Sequence, residues 1–417
     1  MTAALLALNE RTFASLKRHR NYRLFFGGQV VSLVGTWMQN IALAWLVIEM
    51  SGSALAVGAL AFCRFLPFLA FGLVAGVIVD RFDSRRLLFV TQGTAMVVSA
   101  ALAIVTLADA ATLPVVYALA LLGGMVIVVD APARQTLTYQ MVGPDELQNA
   151  VALNAGLFNG SRVIGPAFAG LVIALLGTGA CFVINAISFL AVLASLRLIR
   201  TDELTPVTRR PTRVLPGIRE GISWAAHAPI TRTVLIVVTV VSTVGFNFHV
   251  LVPLLASQTL EVDAEMFGIL SAVFGLGALG GALATATLRE ASPRVFLAGG
   301  VGFSLAMLAL ALAHSVAAAL ALLFALGISF SLLTASANAL VQLAAPTHLR
   351  GRVIGLYMFA FAGLAPVGGL VAGWLAEQGG TPLAFGVAGV AGLATAAWAS
   401  RELGIARAPA AAAPSDA

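Results

Sequence analysis

The sequence predicts an all-α membrane protein with twelve transmembrane helices in two pseudo-symmetric six-helix bundles. Three observations carry this. Hydrophobic residues make up 60% of the 417 and charged residues 10%, with a mean hydropathy of +0.98, whereas soluble domains carry about 25% charged residues. The apolar residues gather in twelve runs, each close to the ~20 residues that cross a bilayer as a helix. The basic residues are one-sided. Of 24 Lys and Arg, only Arg64 and Arg162 fall inside runs away from their ends; the rest lie on the face that carries the N-terminus. The opposite loops hold Glu49, Asp109, Glu261, Asp263, Glu265 and Glu377. An excess of Lys and Arg marks cytoplasmic loops, so both termini are expected in the cytoplasm.

In chain order the expected spans are 22–49, 54–79, 87–107, 113–134, 149–176, 179–199, 231–256, 266–288, 294–313, 316–341, 350–376 and 381–400. The basic stretch Arg11–Arg23 leads into a long helix without a small-residue cleavage site, and that helix is expected to be retained. Residues 1–201 form the first six-helix bundle. Residues 202–230 form a cytoplasmic linker with Pro206, Pro211 and Pro216. Within it, Arg213–Ala226 places Ile218 and Ile222 one turn apart near Trp224, the pattern of a helix lying on a membrane surface. Residues 231–401 form the second bundle, and the Ala/Pro-rich tail 402–417 is expected to be disordered. Gln140, Pro144, Leu147 and Val151 recur as Gln342, Pro346, Leu349 and Val353, and Thr36 and Asn40 as Thr243 and Asn247. Both sets fall in equivalent spans, as in transporters built from parallel repeats.

Between the second and third spans the chain reads Gly76-Val-Ile-Val-Asp80-Arg81-Phe-Asp-Ser-Arg85-Arg86. A link this short forces a tight helical hairpin with charges crowded at the membrane surface. The spacing of Gly76, Asp80, Arg81, Arg85 and Arg86 resembles the signature loop of the major facilitator superfamily. The form Asp-Arg-Phe-Asp, with Asp130-Ala-Pro-Ala-Arg134-Gln135, resembles the branch of enterobactin (siderophore) exporters and macrolide efflux proteins. Asp83-Ser84 stands where that family usually has a second glycine. The resemblance implies the major facilitator fold in the bacterial cytoplasmic (inner) membrane. It also implies a gating role for the loop, with Asp80 meeting the start of span 11 when the inside is closed. A carboxylate is favoured at a helix N-terminus by about 0.3–1 kcal/mol when exposed.

Polar residues inside the spans point to the site. Arg64 and Arg162 fall near mid-depth, where an ionisable group is costly and usually faces a cavity or a partner. They can hold an anionic substrate or pair with backbone carbonyls. Asp130 and Arg134 are spaced to share one helix face near the inner end of span 4. They form either a local ion pair or, through Asp130, a pair with Arg85-Arg86. Gln39 and Asn40, Asn247 and His249, and Asn338 lie in spans 1, 7 and 10; with span 4 these line the central cavity in the resembling fold. Trp37, Phe246 and Phe248 can supply its apolar walls. Gly156, Gly160, Gly165, Pro166 and Gly170 give span 5 a flat packing face and are similar to the Gly-Pro antiporter motif of drug exporters. No carboxylate is expected at mid-membrane. Asp130 ranks first and His249 second as the group that changes charge with a coupling proton.

Composition also excludes classes. No Gly-x4-Gly-Lys-Ser/Thr loop or His-Glu-x2-His helix is present, and Cys63 and Cys181 offer neither a disulfide framework nor metal-ligand spacing. No cofactor and no enzyme activity are expected. The pI near 10.1 reflects orientation in the membrane rather than nucleic-acid binding. The expected protein is a monomeric secondary exporter, coupled to protons by antiport, of an amphipathic and anionic small molecule such as a siderophore or drug. The alternatives are a major facilitator uptake transporter and a non-transporting membrane scaffold.

Overall fold

The computed structural model describes residues 12–206, 214–287, 292–346 and 349–404; over 73–80 and 214–218, and at 286, it describes the backbone only. The side chain of Asp80 in the expected gating loop, which begins at Gly76, thus lies outside the described residues, as does the tail from 405 on. No strand occurs among the described residues.

Helices α1 (Arg20–Ser51), α2 (Ala54–Arg81) and α3 (Ser84–Leu107) come first. The helical stretch Leu113–Leu198 turns back on itself at Gly143 and Gly177, giving α4 (113–142), α5 (144–176) and α6 (178–198). Both glycines adopt positive φ with extended ψ, at 69° and −176° and at 79° and 172°, a conformation that side chains with a Cβ rarely reach. A linker helix, Val214–His227, follows. Helix α7 begins as Pro229–Val244, breaks at 245–247, and resumes as Phe248–Leu254 with a π turn at Leu255–Thr259. Helices α8 (Ala264–Thr287), α9 (Pro293–Leu310) and α10 (Val316–Ala344) lead to α11 (Arg350–Ala362, resuming over 365–378) and α12 (381–402).

Each of the twelve expected spans has its helix. The large boundary difference is α4, which runs eight residues past the expected end at 134. The charged pair Asp130–Arg134, which looked like a helix end in sequence, sits inside it. The Asp83-Ser84 departure also has a structural explanation. Asp83 is the N-cap of α3 and accepts a hydrogen bond from the Arg86 backbone N–H at 2.8 Å, the bond that an N-cap carboxylate supplies.

Small residues set the packing within each half. A Cβ added at Gly124 of α4 would lie 2.1 Å from the Arg64 carbonyl oxygen of α2, and one at Gly327 of α10 would lie 2.3 Å from the Phe274 carbonyl oxygen of α8. These two positions are equivalent in the halves. Glycines 160, 165 and 170 of α5 also recur 203 residues later as 363, 368 and 373 of α11. This is a clearer trace of the internal repeat than the few matches read from sequence.

The halves meet most closely away from the linker. There an added Cβ at Gly58 of α2 would lie 2.7 Å from the Gly369 carbonyl oxygen, and one at Gly268 of α8 would lie 2.5 Å from that of Pro166 on α5. Glu377, at the end of α11, accepts hydrogen bonds at 3.1 Å from both the Leu55 N–H and the Ser53 hydroxyl at the start of α2. Gln258 donates to the Gly52 carbonyl at 3.2 Å. Nearer the linker face, Gly156 and Gly160 of α5, Gly280 of α8 and Gly351 and Gly355 of α11 have nothing within 4 Å of an added Cβ. The molecule is therefore closed on the face opposite the linker.

Candidate functional site

A cavity of about 630 Å³ runs from Trp37, Arg64 and His249 at mid-depth to Phe25, Arg134 and Thr138 near the linker-side ends of α1 and α4. Helices α1–α6 line it, and His249 of α7 joins them from the second half. The break in α7 explains this contribution. At 245–247 the chain leaves the helical path, Asn247 bonds back to the Thr243 carbonyl at 2.8 Å, and His249 emerges exposed toward the cavity. Its ring stacks on Trp37 with centroids 6.5 Å apart and lies 5.5 Å from the Phe65 ring.

Asp130 is only 8% exposed and is fully engaged. One carboxylate oxygen accepts from the Thr91 hydroxyl at 2.9 Å and from Gln92 Nε2 at 2.6 Å; the other pairs with the Arg134 guanidinium. This is the local ion pair. The alternative pairing with Arg85-Arg86 does not form. Arg85 donates to the Leu196 and Arg197 carbonyls at the end of α6. On α3 it lies seven residues, about 10 Å of helix rise, from the Gln92 that Asp130 contacts. With α4 extending to 142, Asp130 stands inside the helix, twelve residues, about 18 Å, from its linker-side end.

Arg64 and Arg162 have no ion pair and no side-chain hydrogen bond among the described residues. Arg64 lines the cavity, its guanidinium carbon 5.8 Å from the Phe65 ring centroid. Arg162 projects from α5 among rings: 6.0 Å from Trp37, 4.7 Å from Phe274 of α8 and 5.1 Å from Phe330 of α10. An insertion scale puts an unpaired Arg at a helix centre at about 2.5–3.5 kcal/mol, and for both residues part of that cost stands uncompensated by any carboxylate.

The remaining expected residues divide. Gln39 and Asn40 line the cavity. Gln39 Oε1 also accepts from the Ser99 hydroxyl and from Asn185 Nδ2, each at 2.7 Å, tying α1 to α3 and α6. Asn247 and Asn338 are outside the lining. Asn247 is bonded to its own helix, and Asn338 accepts from Gln342 one turn away at 2.8 Å. In α5, Gly165 packs on Trp37 and Gly170 on the Ala264 and Glu265 carbonyls, with Pro166 against Gly268. Gly156 and Gly160 pack on nothing in this state, so the expected flat face is only half in use. Of the expected apolar walls, Trp37 lines the cavity. Phe246 and Phe248 instead join a ring cluster with Phe274 and Phe330, at centroid distances of 4.1–5.9 Å.

Sequence reading missed Thr91, Gln92, Ser99 and Asn185, although Gln92 and Asn185 satisfy the criterion, a polar residue inside an apolar run, that selected Gln39. It also missed Gln29. Gln29 Nε2 and Gln92 Oε1 are buried beside the cavity without a hydrogen-bond partner.

Comparison with known proteins agrees with this geometry. A family described as transmembrane secretion effector matches residues 11–416. The chain is 26% identical over 375 residues to a staphyloferrin A transporter of Staphylococcus aureus, covering 88% of this chain and 92% of that one. It is 28% identical over 361 residues to the multidrug efflux pump Tap of Mycolicibacterium fortuitum, covering 84% and 88%. The crystal structure of the nucleoside transporter NupG superposes with a TM-score of 0.73 at 12% identity, covering 92% of this chain and 99% of that one; this likeness speaks to the fold. The chain belongs to the transmembrane secretion effector family of the major facilitator superfamily, and is a multi-pass membrane transporter rather than an enzyme.

Proposed function

We propose that the protein is a secondary active exporter of an amphipathic small molecule, such as a siderophore or drug, that bears negative or strongly hydrogen-bond-accepting groups. It works by alternating access in exchange for protons. The observation that carries the reading is the pair Arg64 and Arg162, two guanidiniums at mid-depth with no carboxylate among the described residues to neutralise them. A guanidinium binds carboxylate or phenolate through paired hydrogen bonds. The efflux relatives support export. The face opposite the linker is closed, the state in which a substrate enters from the linker side. With both termini and the linker in the cytoplasm, the cavity is loaded from inside.

In this reading residues 1–201 and 231–401 are the rocking bodies, joined by the linker 202–230. The loop with Gly76, Asp80, Arg81, Arg85 and Arg86 closes the cytoplasmic face in the opposite state, Asp80 meeting the start of α11. Asp130 is the first candidate for the proton-carrying group and His249 the second. The protein acts as a monomer in the bacterial cytoplasmic membrane, with protons, lipid and substrate as partners and without nucleic acid or cofactor.

The test is transport in proteoliposomes under an imposed proton gradient, using a panel of carboxylate-bearing compounds and their neutral amide analogues. Acid compounds should accumulate on the periplasmic-equivalent side and lose that accumulation when the gradient is collapsed. Accumulation unchanged by collapse would reject antiport. Movement of substrate together with protons would establish uptake.

A further inference from the structure

Arg162 sits in an unusual place for a residue that binds anions. Its guanidinium reaches out of the first half and lies against Phe274 and Phe330 of the second, with Trp37 behind it. The two phenyl rings are 5.9 Å apart and inclined at 54° to each other. Phe248 buttresses both, at 4.1 Å and 5.5 Å. The depth of the contact is set by the backbone. A Cβ added at Gly275 would lie 2.9 Å from the Arg162 carbonyl oxygen, so α5 and α8 touch at this level and hold guanidinium and rings in register.

The rings satisfy only part of what the guanidinium requires. Their faces attract its charge, but they accept none of its five N–H donors. A carboxylate or phenolate offers both charge and acceptors, in the planar geometry that a guanidinium matches. An arriving acid therefore outcompetes the rings for Arg162. The place that the guanidinium leaves is flat, apolar and walled by two inclined rings. A flat aromatic group fits it edge-to-face, as the rings here already pack on one another. Arg64 lies along the same run of rings, past Trp37 and His249, and has no acceptor among the described residues either.

We propose that the transported compound is an aryl acid. Its acid group is held by Arg162 and Arg64, and its ring occupies the slot between Phe274 and Phe330 that the Arg162 guanidinium fills in the empty protein. Arg162 is then a tethered occupant of the ring subsite, displaced by substrate. Because it belongs to the first half and the slot to the second, displacement also removes a contact between the halves. The inference rests on the export reading for its biological direction, but the site chemistry stands apart from direction and coupling.

The test is calorimetric binding to the whole protein in phosphatidylcholine nanodiscs, with empty nanodiscs as the blank. The probes are 2-naphthoate, cyclohexanecarboxylate, 2-naphthylmethanol and (2-naphthylmethyl)trimethylammonium. Wild type should bind 2-naphthoate at least tenfold tighter than each of the other three. Arg162→Gln should weaken 2-naphthoate about tenfold and 2-naphthylmethanol less than twofold. Phe330→Leu should weaken 2-naphthoate and 2-naphthylmethanol severalfold and leave cyclohexanecarboxylate unchanged. Thermal unfolding of each variant checks that the fold survives; should Arg162→Gln unfold, Arg64→Gln takes its place with the same expected pattern. Tighter binding of the ammonium compound, equal binding of the two acids, or no binding of 2-naphthoate would each overturn the proposal. If 2-naphthoate binds as stated but is moved inward rather than outward, the export reading fails and this one stands. Export of other compounds without 2-naphthoate binding gives the reverse.

Discussion

Glu377 should act as a latch on the face opposite the linker. Its carboxylate accepts from the Leu55 N–H and the Ser53 hydroxyl, both at 3.1 Å, across the junction between the halves. Leu55 lies in the first turn of α2, so the carboxylate also meets the positive end of that helix. The site is exposed, which places the charge–dipole part near 0.3–1 kcal/mol, and each hydrogen bond adds about 0.5–1.5 kcal/mol. Glu377→Gln keeps an acceptor but loses the charge, about 0.3–1 kcal/mol. Glu377→Ala loses both bonds, about 1–3 kcal/mol, a factor of roughly 5–150 in a two-state equilibrium. The backbone contacts at Gly58 and Gly268 and the Gln258–Gly52 bond remain, so the junction should loosen rather than fall open. Spin labels at Asp109 and His314, both exposed on this face, read the separation once Cys63 and Cys181 are replaced by serine. The long-distance population should rise in the order wild type, Glu377→Gln, Glu377→Ala. High salt should raise it in wild type but not in Glu377→Gln, because the attraction between a charge and an exposed helix end is weakened by salt. An unchanged distribution in Glu377→Ala would refute the latch.

Three further outcomes are expected. Gly58→Val puts a Cβ 2.7 Å from the Gly369 carbonyl oxygen, and overpacking of this kind costs about 1–3 kcal/mol; the same label pair should show the opposite face opening. Asp130→Asn removes the charge that Arg134, Thr91 and Gln92 converge on, so gradient-driven transport should be lost while downhill exchange is spared; loss of neither activity here or in His249→Gln would reject both as proton carriers. Asn185→Ala takes one donor from Gln39 and one partner from Ser99 and should cost about 1–3 kcal/mol in thermal unfolding, partly restored when Gln39→Leu is added.

The number and order of the spans were legible in the sequence because the bilayer imposes length and apolarity directly. A helix must satisfy its own backbone in lipid, so twelve apolar runs become twelve helices with little help from tertiary contacts. The boundary of α4 was not legible. Asp130 and Arg134 look like a surface in sequence, and only Thr91 and Gln92 of α3, brought alongside, make the interior hospitable to that pair. The site was legible as a list and not as an arrangement. Arg64, Gln39, Asn40 and His249 share the cavity, while Asn247 and Asn338 spend their amides on their own helices, a choice made by one helical turn of local geometry. Which half holds the rings that surround Arg162 depended on the approach of α5 to α8, set where Gly275 meets the Arg162 carbonyl. Residue type fixes what a side chain can bind. What it does bind depends on which backbones come close, and in this chain glycines far apart in sequence decide that.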